Sequence, residues 1–150
     1  MKTICIVVVI LAIMCVGTFC GTLPDTYQFE NRGQEIERIE LLHNPQAKDG
    51  YPGQGFEFIR ELRSDELGPF MERIYALETK KRTSPPYANF GPYIACVTYH
   101  NGDKEYFASW HIEVVKKGAE PMGAGSYSFK GNGFDELFLE YSTGEGSAVP

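Results

Sequence analysis

Cys96, His100 and His111 fall in one short stretch, YIACVTYHNGDKEYFASWHIEVV (Tyr93–Val115). A thiol beside an imidazole is the pairing that makes a cysteine nucleophile. It works only when the base lies within hydrogen-bond reach, about 3 Å. Asn101-Gly102 reads as a two-residue type I′ hairpin turn, because that turn needs positive φ at both central residues. The turn predicts pairing of His100 with Asp103, Val97 with Tyr106 and Cys96 with Phe107. Cys96, His100 and His111 then share a face. A strand rises about 3.3 Å per residue, so each histidine lies roughly 13 Å from the thiol. Cys96 is expected to be a small packed residue, and no catalytic residue is assigned.

His111 and Glu113 point the same way at i, i+2. Two ligands are half a metal site, and nothing nearby supplies a third at recognisable spacing, so no metal is assigned. His100 beside Asp103 reads as a cross-strand charge pair. His43 could approach the others only through the sheet order. The glycines of PMGAGSYSFKGNG match neither dinucleotide-binding nor phosphate-loop spacing, and read as turn residues. Acidic pairs (Glu35/Glu37, Glu37/Glu40, Asp135/Glu136) are expected by abundance among twenty acids. No G-x-S-x-G elbow accompanies a serine. No cofactor is implied.

The elements that would position these residues read as follows. Glu35–His43 alternates with Ile39 and Leu41 inward, a strand. Asn44–Gly55 is turn-rich, and Phe56–Leu62 is a second strand with Phe56, Phe58 and Leu62 at even spacing. A helix follows, capped at Ser64 or Gly68. It has Asp65 and Glu66 early, Pro69 in a first turn, and an apolar stripe of Phe70, Met71, Ile74 and Leu77. Lys80, Lys81 and Arg82 close it. In the hairpin, Tyr93, Ala95, Val97 and Tyr99 with Tyr106, Ala108, Trp110, Ile112 and Val114 form the core face. Cys96, Glu105, Phe107 and His111 lie on the half-wet face. Tyr127–Phe129 is a short strand. A final helix places Phe134, Leu137, Phe138 and Tyr141 on one stripe before Gly144. The order β-β-α-β-β-β-α predicts a single α+β domain, a mostly antiparallel sheet with two helices on one face.

Residues 1–20 have the layout of a secretory signal peptide: Lys2, an apolar run from Ile4, then small residues to Gly21. The run to Leu23 is about 20 residues, long enough for an uncleaved membrane anchor. Lipidation at Cys20 or Cys15 is a further option, poorly supported by the bulky Phe19 and Met14 before them. Residues 21–34 read as a polar linker, 35–143 as the globular domain and 144–150 as a disordered tail.

The 150-residue chain carries a net charge of −6. Its KKR (Lys80–Arg82) and Lys116/Lys117 are short and separate, which argues against nucleic acid. Membrane contact is expected only through the N-terminal segment. The functional expectation is a secreted or extracytoplasmic membrane-anchored module that binds a protein or cell-envelope partner. Tyr87, Phe90 and Tyr93 are its candidate sticky surface. A small hydrolase or metal-dependent enzyme whose site converges only in three dimensions is the alternative, and a structural envelope component a third reading.

Overall fold

The alternation of Ile39 and Leu41 with polar neighbours places both side chains in the core, fully buried on strand β1 (Ile36–His43). The computed structural model describes residues 24–47, 55–83, 90–122 and 125–144. The expectations for the signal or anchor segment, for Tyr87 and for residues 145–150 lie outside those residues. After β1 come β2 (Glu57–Glu61), α1 (Ser64–Ala76), β3 (Thr79–Lys81), β4 (Tyr93–Tyr99) and β5 (Lys104–Ala108). The chain continues with β6 (Ile112–Val115), β7 (Tyr127–Phe129) and α2 (Gly133–Ser142). The strands form one antiparallel sheet in the order β2-β1-β4-β5-β6-β7-β3. The class is α+β, as the sequence order predicts.

One face carries Ile39, Leu41, Ala95, Val97, Tyr99, Phe107 and Phe129. It packs against Phe70, Met71 and Ile74 of α1 and Phe134, Leu137, Phe138 and Tyr141 of α2. Both helical stripes are thus satisfied by one sheet face. A smaller cluster of Phe90, Ile94, Cys96, Tyr106, Ala108 and Val115 covers the opposite face.

Several details differ from the sequence reading, four of them within the expected helices and strands. The helix stops at Ala76, so Lys80 and Lys81 belong to β3, where Thr79 pairs with Phe129. The expected strand through Val114 breaks at Ser109–His111 and folds back, pairing Phe107 with Ile112. Phe58 does not turn inward: β2 is an edge strand, and a bulge at Leu41/Leu42 sets Phe58 opposite Leu42.

The fourth difference is the hairpin register. Cys96 faces Tyr106, Val97 faces Glu105 and Ala95 faces Phe107, one residue off the expected pairing. No non-glycine residue here has positive φ, so Asn101 cannot sit in a type I′ turn; only Gly102 does, at +87°. Asn101 Oδ1 instead accepts from Asp103 N (2.9 Å). Tyr99 N donates to Asp103 O (3.0 Å), closing a three-residue loop with glycine last. Because side chains alternate with period two, a slip of one moves every β5 side chain to the other face. Phe107 goes under the helices. Tyr106 and Ala108 go to the opposite face, with Cys96.

Residues 24–34, expected as a linker, form a strap on the helix-bearing face. Phe29 packs edge-on against Tyr75 (5.0 Å between centroids) and near Phe107 (6.1 Å). Tyr27 packs against Tyr127 (5.5 Å). Asp25 O accepts from Lys81 N (3.2 Å), and Thr79 Oγ1 accepts from Tyr27 N (2.9 Å), so the strap runs along the outer edge of β3.

Candidate functional site

The three histidines do not converge. His43 Nδ1 lies 3.4 Å from Glu57 Oε2, His100 Nε2 3.6 Å from Glu35 Oε1, and His111 Nε2 3.5 Å from Glu113 Oε2. Each has its own glutamate, at a different place on the sheet. His100 is not paired with Asp103, whose carboxylate instead takes Lys116 Nζ (2.9 Å) and Lys117 N (3.1 Å). His111, expected on a half-wet face, is fully buried with its ring 4.3 Å from that of Phe90. Trp110, expected in the core, is 45% exposed. Both changes follow from the turn at Ser109–His111, which re-aims the two side chains. Among the described residues no three His, Cys, Asp or Glu side chains are grouped to hold a metal ion.

Cys96 is buried, and burial pushes its thiol above the ordinary range; its side chain hydrogen-bonds Tyr106. A thiolate is the reactive form, so this thiol is inert while the protein is folded. A maleimide added to native protein is expected to leave Cys96 unmodified over hours and to label it at once in denaturant. Rapid labelling without denaturant would contradict the packing. The acidic pairs resolve into local contacts: Glu37 and Glu40 both take Arg38 (2.9 and 3.4 Å), and Glu136 accepts from Asn132 Nδ2 (2.6 Å).

The register slip creates a concentrated polar feature on the helix-bearing face. Glu105, 1% exposed, lies on the helix-bearing face among aromatic rings. Its Oε1 accepts from Tyr27 OH (2.5 Å), and its Oε2 accepts from Tyr99 OH (2.7 Å) and Asn31 Nδ2 (3.5 Å). Burial raises the Glu105 pKa and outweighs these three donors, each of which favours the ionised form; the Glu30 carboxylate raises it further. Burial first, and then the Glu105 charge, hold the Tyr27 and Tyr99 hydroxyls well above the ordinary tyrosine range. They therefore remain donors at neutral pH. Both carboxyl oxygens are committed to the protein's own side chains, so the group ties the strap to the sheet and has no free oxygen to offer a substrate. The sequence held a weak signal for it. Tyr27 and Phe29 alternate as in a buried strand, inside a segment read as polar linker.

At the other end of the sheet, an ion pair with a buried glutamate ties β2 to the helices. The Arg60 guanidinium on β2 binds Glu66 of α1 and donates from Nη1 to Tyr141 O of α2 (3.1 Å). Glu66 also accepts from Arg63 N (2.8 Å) at the helix start. Beyond this anchor β2 presents two exposed apolar side chains. Phe58 is 61% and Ile59 40% exposed, flanked by exposed Glu57 and Glu61. Among the described residues, no backbone hydrogen bond reaches the outer edge of β2. Of the expected sticky surface, Tyr87 lies outside the described residues. Phe90 is fully buried, and Tyr93 stacks on Phe138 with centroids 4.9 Å apart.

Comparison with family models, curated proteins and solved structures finds no match. Function rests on the geometry alone.

Proposed function

We propose that this protein is an exported, non-enzymatic binding domain that takes an extended segment of a partner protein along β2. The observation that carries this reading is the inequality of the two sheet edges. β3 is covered by the protein's own strap through Lys81 N and Asp25 O, whereas β2 meets no such segment among the described residues and displays Phe58 and Ile59. An open edge adds a strand through backbone hydrogen bonds, and its side chains select which strand. Pairing of β2 with a second copy about Ile59 would set Glu57 against Glu61, a like-charge contact that opposes self-association. A different chain with apolar residues at the centre and basic residues at either end fits the EFIRE pattern. Export, by cleavage of the N-terminal segment or by its retention as an anchor, is part of the same proposal. The hydrolase reading gains nothing from three separated histidines and a carboxyl group whose oxygens are occupied.

The test is affinity capture from the cell envelope and culture medium with wild-type protein and a Phe58→Asp variant. The variant is expected to lose its specific partners, with binding weakened at least about tenfold, while its unfolding free energy changes by less than about 0.5 kcal/mol. Equal capture by both proteins would exclude β2 as the contact.

A further inference from the structure

The sheet ends in β3, and that is where the polypeptide joins the domain. Pro24 O accepts from Tyr127 OH (2.8 Å) and Asp25 O from Lys81 N (3.2 Å), which fixes the first described residues beside β7 and β3. At the same end, Lys80, Lys81, Arg82, Thr83 and Ser128 line a shallow depression. Arg82 donates from Nη1 to Gly125 O (3.2 Å). Among the described residues none of these three cations forms an ion pair with a carboxylate, in contrast to Lys116 with Asp103 and Lys130 with Glu78. The sequence around them is equally one-sided. No acidic residue occurs from Thr79 to Gly102 or from Pro121 to Phe134, in a chain with twenty acids. The carboxylates nearest β3 are Asp25 and Glu78, with Glu30 and Glu113 beyond Tyr127, and Glu78 is engaged by Lys130 at 2.9 Å. A protein of net charge −6 thus gathers positive charge at one end of its sheet.

We infer that the β3 end docks on an anionic lipid surface, with Lys80, Lys81 and Arg82 directed to the headgroups. The apolar run from Ile4 ends at Leu23, immediately before Pro24. A chain held in a bilayer by that run leaves almost no spacer, so β3 is the part of the domain nearest the headgroups. Charges this close lie within the Debye length of about 8–10 Å, where clustered Lys and Arg attract an anionic leaflet. Met122, 68% exposed, lies near the same end: it shares a surface depression with Gly125, Ser126 and Tyr127 and with the carboxylates Glu30 and Glu113, the latter accepting from Met122 N (2.9 Å). It offers an apolar side chain to the interface. Three cations on an otherwise acidic molecule suit a flat anionic surface better than a polyanion that must be wrapped. The inference rests on retention of the apolar run and is independent of β2.

The full 150-residue chain is reconstituted into vesicles of phosphatidylcholine alone, or with about one third phosphatidylglycerol. Lysines are labelled with an amine-reactive reagent and quantified by mass spectrometry. At low salt, Lys80 and Lys81 are expected to react about fivefold more slowly on the anionic vesicles, with Lys116 and Lys117 unchanged, and the protection is expected to vanish near 0.5 M salt. Equal labelling on both vesicles overturns the inference. So does equal protection by inorganic phosphate on neutral vesicles, which would make the depression a small-anion site.

Discussion

Replacing Glu105 with alanine is expected to lower the unfolding free energy by about 3–5 kcal/mol, the largest effect of any single substitution considered. The change leaves the hydroxyls of Tyr27 and Tyr99 and the amide of Asn31 without their shared acceptor in a nearly dry site. Unsatisfied buried donors cost about 1–3 kcal/mol each, reduced where water enters the cavity. Glutamine keeps one acceptor oxygen and is expected to cost less than half as much. Chemical denaturation of the two variants measures both numbers, and an alanine variant within about 1 kcal/mol of wild type would refute the tie. The pH dependence has a defined sign. A carboxyl whose folded pKa is raised binds its proton more tightly in the native state, so its contribution is full below the unfolded value of about 4.3. It is lost as pH rises through the raised folded value, and then levels off. Glu140 and Asp103 act the other way, their pKa values lowered by Arg73 and Lys116, and they do so equally in wild type and in the glutamine variant. The falling limb should therefore vanish in Glu105→Gln. A wild-type profile that rises with pH through this window, relative to the glutamine variant, would show the carboxyl to be favoured in its ionised form.

The second large effect is expected at Gly125. A Cβ there would overlap Ile112 O and lie 2.7 Å from Ile112 C, backbone atoms that cannot swing aside like the end of a side chain. β6 and β7 are joined through the single pair Ile112–Tyr127, so relief of the overlap separates β7 and β3 from the rest of the sheet. Gly125→Ala is expected to destabilise by about 3 kcal/mol or more. Hydrogen exchange should show loss of amide protection concentrated at Tyr127–Phe129 and Thr79–Lys81. A variant as stable as wild type, with those amides still protected, would contradict the packing of this junction.

Much of the fold is written in local pattern. The stripe of Phe70, Met71 and Ile74, the stripe of Phe134, Leu137, Phe138 and Tyr141, and the alternation of Ile39 and Leu41 all face the side that periodicity assigns them. The hairpin failed on one backbone angle. Asn101-Gly102 supports both a two-residue and a three-residue loop, and the choice depends on whether Asn101 adopts positive φ, which tertiary packing decides. Phe107 under the helices and Glu105 tied to the strap are compatible only with the longer loop. That one-residue difference hid the buried carboxyl, because the shorter loop assigns Glu105 to the half-wet face. The exposure of Phe58 was hidden for another reason: Phe58 and Leu62 look alike in an alternating string, and strand order with the bulge at Leu41/Leu42 makes Phe58 peripheral. Cys96 and His100 keep the spacing read along β4, whereas the spacing read for His111 lapses, because β5 ends at Ala108 and His111 lies past the turn.

The tie between Tyr27 and Glu105 also sets an order of events during synthesis. Tyr27 leaves the ribosome 78 residues ahead of the carboxyl that receives its hydroxyl. A contact of such long loop closure forms after the β4–β5 hairpin that presents Glu105, so the strap is made before that hairpin and fastened after it. Its aromatic side chains wait uncovered in the interval. Substitutions at Tyr27 or Asn31 should then speed unfolding and leave the folding rate nearly unchanged. The strap acts as a clasp on a finished sheet.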